Sequence, residues 1–237
     1  MRWIAIIGLA ICIMGSAAAK EGVILLHGLA RTNSSMAKMA ATLADAGYVA
    51  VNVGYPSRTA TIDELSDAAI GSALRHESLL ECRKINFVTH SLGGILVRAY
   101  FKNHSEPRLG RVVMLGPPNQ GSELADKLGD WWLYQKINGP AGNELGTTTD
   151  SKPNQLGPVE FELGIIAGDR SINWINSLII PGEDDGKVSV ERTRIEGMKA
   201  HLVIHAPHPF IMKNKTAIAQ TIEFLKTGQF SPSETLP

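Results

Sequence analysis

Short apolar runs alternate with stretches of helical spacing along most of this chain, and that alternation leaves few architectures open. Runs of strand length stand at 22–27 (GVILLH), 48–53 (YVAVNV), 85–89 (INFVT), 111–115 (RVVML), 161–167 (FELGIIA) and 202–205 (LVIH). Between them lie 34–46, closed by Gly47, then 61–80, 92–103 and 211–225, each with helix-forming composition or spacing. Asp63 and Glu64 sit near the start of the second, where the helix dipole favours acids. Buried strands joined by helices imply an α/β fold, with a mostly parallel central sheet and helices on both faces. Crossovers in such a sheet are right-handed, and ligands collect beyond the carboxyl ends of the strands.

Composition narrows the partners. The 237 residues suit one domain, and 44% hydrophobic with 19% charged residues excludes wholesale disorder. With 23 basic and 23 acidic residues the formal charge is zero, which speaks against nucleic acid and against steering to anionic membranes. Two cysteines make no disulfide scaffold, no His or Cys cluster has zinc spacing, and no cofactor is expected. Residues 1–19 read as a secretory signal: Arg2, an apolar run from Trp3 to Met14, then Ala17-Ala18-Ala19 as the cleavage pattern. That run is too short to span a bilayer, so the expectation is an exported domain of 20–237, periplasmic or secreted, with no stable membrane insertion. Cys12 leaves with the signal, and Cys82 is read as a small residue at a helix end. The stretch 117–159 is rich in Gly, Pro, Asn and Thr, carries Trp131-Trp132, and shows one short helix at 122–128. It reads as a cap insertion.

The segment 85–96 (INFVTHSLGGIL) carries the most chemistry. A strand runs into Thr89-His90-Ser91-Leu92-Gly93 and a helix begins at once, a near match to the G-x-S-x-G elbow that holds a serine on a strained turn. Small residues are wanted two before and two after the serine. Gly93 meets this demand, whereas Thr89 needs room for a methyl and a hydroxyl. The turn exposes Ser91, aims the helix's positive end at it, and offers the Leu92 N–H as one oxyanion donor. His90 should point away from the site.

A serine needs a base, and the base an orienting acid. His208 lies in the loop after the last apolar run and is favoured over His205 and His201 as that base. Asp185 is favoured for the acid, with Asp184 and Asp169 as alternatives. The acidic run 183–185 is too small to imply calcium. After the first strand, His27-Gly28-Leu29 places the Leu29 N–H as a second oxyanion donor, with His27 bonding the loop backbone.

Five motifs stand in order: LLHGLA at 25–30, VTHSLGG at 88–94, LGPPNQGS at 115–122, DDGKVSV at 184–190 and APHPF at 206–210. Together they resemble the α/β-hydrolase superfamily, and within it the secreted bacterial lipase/esterase group with its inositol-deacylase-like branch. The resemblance implies a Ser91-Asp185-His208 triad with the Leu29 and Leu92 amides as oxyanion hole, acting on a small-molecule or lipid ester. Pro117-Pro118-Asn119 stands where those lipases carry TPH. The expected activity is ester hydrolysis; acyl transfer on the same triad and a non-catalytic binding module are the alternatives.

Overall fold

The computed structural model describes residues 20–128 and 132–232, apart from the side chains of residues 128, 132–135 and 137. The signal expected at 1–19, Trp131, and the side chains of Trp132, Leu133 and Tyr134 expected to cap a pocket lie outside the described residues. Six strands form one sheet: β1 (Glu21–Leu26), β2 (Val49–Val53), β3 (Lys84–His90), β4 (Leu109–Leu115), β5 (Leu163–Gly168) and β6 (Ala200–Ile204). Their order is β2-β1-β3-β4-β5-β6 and every pairing is parallel. The helices are α1 (Ala37–Asp45), α2 (Ile62–Leu74), α3 (Leu92–Asn103), α4 (Glu123–Leu128), α5 (Trp132–Asn143), α6 (Lys152–Gln155), α7 (Trp174–Ser177) and α8 (Lys215–Thr227).

Alternation along each strand divides the core into two layers. Ile24, Leu26, Ile85, Phe87 and Met114 pack with Ile62 and Leu65 of α2 and Ile95 and Leu96 of α3. Val23, Leu25, Val88 and Val113 pack on the opposite face with Met39 and Leu43 of α1 and Ile218 and Phe224 of α8. Each fully buried side chain of this size contributes roughly 1.5–3 kcal/mol. Helices therefore cover both faces, as the apolar runs require.

Boundaries differ from the sequence expectation where caps intervene. The helix expected over 61–80 opens with a Thr61/Glu64 capping box but ends at Leu74, and His76 turns extended to cap a separate 3₁₀ turn, Glu77–Leu79. The helix expected over 211–225 is a 3₁₀ turn, His208–Lys213, followed by α8, whose cap is Asn214. Among the described residues, 117–159 holds three helices rather than the one expected, α5 being kinked at Gly139. The last strand is Ala200–Ile204, so His205 lies just past it.

The segment 117–159 packs on the α2/α3 layer through Ala141, Leu145 and Leu156. Arg98 of α3 fastens it, donating to the carbonyls of Asn119 (2.8 Å), Pro153 (2.8 Å) and Gly157 (2.9 Å). Burial pushes the pKa of this guanidinium down to about 10. Cys82 is buried beside Gly22, as a small packing residue would be. Among the described residues, no helix is long and apolar enough to cross a membrane, and no cluster of three or more His, Cys, Asp and Glu side chains could hold a metal ion.

Candidate active site

The chain runs from β1 outward to β2, then returns to lay β3 against the other side of β1. At such a reversal the loops leaving the two strands diverge and open a crevice at their carboxyl ends. Ser91 stands in it, one residue past β3, with φ 52° and ψ −121°. Only Ser91 and Ala30 among the described non-glycine residues have positive φ. Strain of this kind, about 1–3 kcal/mol per residue, thus falls on the two loops that flank the crevice. The elbow is anchored by Ser91 N–H, which donates to the Leu115 carbonyl at 2.9 Å. Gly93 allows α3 to approach β1, because a Cβ there would meet the Leu26 carbonyl oxygen at 2.8 Å and Leu26 Cβ at 2.9 Å. Thr89 is fully buried at the other small-residue position; its methyl and hydroxyl fit, but Oγ1 has no hydrogen-bond partner among the described residues.

The acid and the imidazole meet in two loops beyond β5 and β6. His208 Nδ1 donates to Asp185 Oδ2 at 2.7 Å, with both side chains buried. The other carboxylate oxygen accepts from Lys187 N–H (3.0 Å) and Val188 N–H (2.9 Å). His208 N–H also donates to the Asp185 carbonyl at 2.9 Å, so backbone and side chain bind the same two loops together. Nδ1 is thereby occupied and Nε2 is left for chemistry. Gly116, at φ 53°, leaves room for the pair: a Cβ there would lie 2.9 Å from Asp185 Oδ2 and 3.1 Å from His208 Nδ1.

The alternatives are engaged elsewhere. Asp184 Oδ1 accepts from Ser177 Oγ (3.0 Å) and Gly186 N–H (2.7 Å). Asp169 pairs with the exposed His205 ring at 3.0 Å. His201 Nε2 bonds Thr193 Oγ1 at 2.8 Å. Burial lowers the His201 pKa to about 4.

His90 corrects an expectation. It does not point away from the site; its ring lies 4.7 Å from the His208 ring, and its Nε2 donates to the His208 carbonyl at 3.1 Å. Thr89 faces the α2/α3 layer, so pleating sends its neighbour to the other layer, beneath His208. Burial, and then the neighbouring His208, hold the His90 pKa well below its ordinary value, so the ring is neutral. Its Nδ1 has no hydrogen-bond partner among the described residues.

The loop after β1 is braced by a segment that the sequence motifs did not single out. His27 Nδ1 donates to the Gly28 carbonyl (2.9 Å), and its Nε2 accepts from Tyr55 N–H (3.4 Å). The Tyr55 ring stacks on it at 4.0 Å. Burial lowers the His27 pKa and raises that of Tyr55. Ser57 Oγ accepts from Ala30 N–H at 3.0 Å, holding the strained residue beside Leu29. The signal available for this brace was position: Gly54-Tyr55-Pro56-Ser57 directly follows β2, on the same edge as the other loops. The Leu29 and Leu92 N–H groups donate to no acceptor among the described residues.

Ser91, Asp185, His208 and His90 line one cavity of about 610 Å³, with Leu29, Leu124, Leu145 and Ile172 among its apolar walls. No hydrogen bond joins Ser91 Oγ to His208 in this structure. Next to Ile172, itself 55% exposed, α7 and the residue after it expose Trp174, Ile175 and Leu178, from 56% to 77%.

No protein-family model and no curated protein matches the chain. Solved structures do. The mature lipase BlEst2 of Bacillus licheniformis is 21% identical over 90% of this chain and 94% of its own, with TM-score 0.67. Phospholipase PlaB of Legionella pneumophila is 21% identical over 74% of this chain and 46% of its own, with TM-score 0.60. A thermophilic esterase of Thermogutta terrifontis is 15% identical over 88% of this chain and 90% of its own, with TM-score 0.60. Such identities speak for architecture alone. With its all-parallel sheet, the helices on both faces and these neighbours, the chain has the α/β-hydrolase fold.

Proposed function

We propose that the protein is a serine carboxylic-ester hydrolase working through an acyl-enzyme on Ser91. One observation carries the reading: the buried 2.7 Å hydrogen bond from His208 Nδ1 to Asp185, in the cavity that also holds Ser91 on its strained turn. His208 Nε2 takes the Ser91 proton as Oγ attacks the ester carbonyl carbon. The Leu29 and Leu92 N–H groups receive the oxyanion, each donor contributing on the order of 10²–10³ in rate. The carbonyl re-forms, the C–O bond to the alcohol breaks, and the alcohol leaves with the proton from His208. Water, deprotonated by the same Nε2, then releases the carboxylic acid and restores Ser91. Asp185 fixes the tautomer and stabilises the imidazolium. The Ser91–His208 contact forms when substrate fills the cavity, since catalytic hydrogen bonds tighten in the complex.

The lipase, phospholipase and esterase of like fold favour ester chemistry over other serine reactions. The five motifs favour the secreted lipase/esterase group with its inositol-deacylase-like branch, and with it export of the domain after removal of 1–19. Residues 117–159 serve as the cap, supplying Leu124, Ala125 and Leu145 to the cavity.

The test is covalent labelling with a fluorophosphonate, read by mass spectrometry of peptides. A single adduct on Ser91, absent in Ser91→Ala, supports the reading. A folded wild-type protein that neither labels nor hydrolyses 4-nitrophenyl esters overturns it.

A further inference from the structure

Among the described residues, the charged ones lining the cavity are Arg31, Lys187 and Asp185. Asp185 is fully buried, and its two oxygens are taken by His208 and by two backbone N–H groups. The two cations differ. Neither the Arg31 guanidinium nor the Lys187 ammonium forms an ion pair or a hydrogen bond among the described residues. They come from opposite sides: Arg31 follows strained Ala30 on the loop after β1, and Lys187 follows the acid on the loop after β5. Both backbones are held. Ala30 is tied to Ser57, and the Lys187 N–H and carbonyl are bonded to Asp185 and to Ser122 Oγ.

Arg31 is half-buried and Lys187 is exposed. Two like charges facing one cavity are stabilised by an anion between them, and among the described lining residues no carboxylate is free to serve. Loss of water lowers the pKa of both groups; for Lys187, Asp185 opposes the shift and the nearby Arg31 charge adds to it. Apolar Leu124, Ala125, Leu145 and Ile172 cover other parts of the same cavity. The space thus joins apolar walls to two cations beside Ser91.

We infer that the cavity is built for an ester that carries an anionic group, a carboxylate or a phosphate, which Arg31 and Lys187 bind while the apolar walls take the hydrocarbon part. The inference rests on the proposed ester hydrolysis and deepens it, assigning Arg31 and Lys187 as specificity residues.

The test compares two soluble 4-nitrophenyl esters of glutaric acid, one with its second carboxylate free and one with it methylated. Their kcat/KM ratio on the same preparation is independent of the folded fraction, so a variant that folds poorly still gives an answer. Wild type should favour the anionic ester by on the order of tenfold, the scale of one hydrogen bond to a charged group. Rising ionic strength should weaken the preference. Lys187→Met and Arg31→Met should each lower the ratio, and Lys187→Glu should invert it. Vesicles assign the source of the anion. Preferred hydrolysis of phosphatidylglycerol over phosphatidylcholine supports the inference with a lipid headgroup, and a preference confined to the soluble pair supports it with a water-soluble ester. Equal kcat/KM for both soluble esters in wild type, with Ser91 labelling intact, overturns the inference and leaves ester hydrolysis standing. Failure of both turnover and labelling would instead remove the hydrolase reading beneath it.

Discussion

Replacing Asp185 by Asn isolates what the acid does, because the structure dictates how the new amide must sit. Oδ1 of Asp185 accepts two backbone N–H groups, from Lys187 at 3.0 Å and Val188 at 2.9 Å, and the Val188 amide is buried. An amide NH₂ turned toward those donors would leave them unmet, at about 1–3 kcal/mol each. The carbonyl oxygen of the introduced side chain therefore keeps that place, and its NH₂ faces His208 Nδ1. A donor facing Nδ1 forces the proton onto Nε2, so under the proposed mechanism the imidazole can no longer accept the proton of Ser91. The loss should approach that of a wrong-tautomer triad, about 10⁴ in kcat or ~5.5 kcal/mol of barrier. Stability should change far less, since the two backbone contacts survive. The assay is kcat for a 4-nitrophenyl ester beside the thermal midpoint, with Asp184→Asn and Asp169→Asn as controls. An Asp185→Asn enzyme within about tenfold of wild type, or an equal loss in Asp169→Asn, would refute the reasoning.

Other expectations follow from single residues. Thr89→Val removes a buried hydroxyl that has no partner while keeping the shape; chemical denaturation should show a gain of about 1 kcal/mol, a thermal midpoint roughly 2–4 °C higher, and a loss would contradict it. Gly116→Ala drives a methyl to 2.9 Å from Asp185 Oδ2 at a left-handed φ, so kcat should fall at least about tenfold even where the protein folds, as ester kinetics would show. His201 has a folded pKa of about 4 against an ordinary 6.5. The native state therefore binds fewer protons than the unfolded chain, and stability falls as pH drops from about 6.5 toward 4, by about 2 kcal/mol for this half-buried ring once solvent screening is allowed for. Buried His90 and His27 act in the same direction. Denaturation at about pH 7 and about pH 4.5 should show the decline, and His201→Gln should reduce it; an unchanged slope would assign it elsewhere.

Most of the sheet was legible because strands buried on both faces read as nearly continuous apolar runs. All six expected runs fall on β1 to β6 within about two residues, and 92–103 coincides with α3. Helix ends were less legible. At His76 and Asn214 a polar side chain captures a backbone N–H and starts a new turn, a local choice that apolar spacing does not encode. The hydrogen-bonded Asp185–His208 pair was legible because His208 follows the last apolar run and Asp185-Gly186 opens a tight turn that can aim a carboxylate at an imidazole. The Tyr55 and Ser57 brace was not, since its meaning lies in contacts with residues some 28 positions away. His90 was misread for a plainer reason. Strand alternation, the same rule that divides the core, places it opposite Thr89 and under the α8 layer where His208 sits.

The central claim is that four loops, after β1, after β3, after β5 and after β6, converge on one reacting carbon. A crystal structure of the phosphonate-inhibited enzyme measures this directly. The account predicts phosphorus bonded to Ser91 Oγ, its phosphoryl oxygen about 2.7–3.1 Å from the Leu29 and Leu92 nitrogens, and His208 Nε2 at hydrogen-bond distance from an oxygen on phosphorus. An adduct on another residue, or one on Ser91 with the phosphoryl oxygen turned away from both amides and the imidazole out of reach, would contradict it.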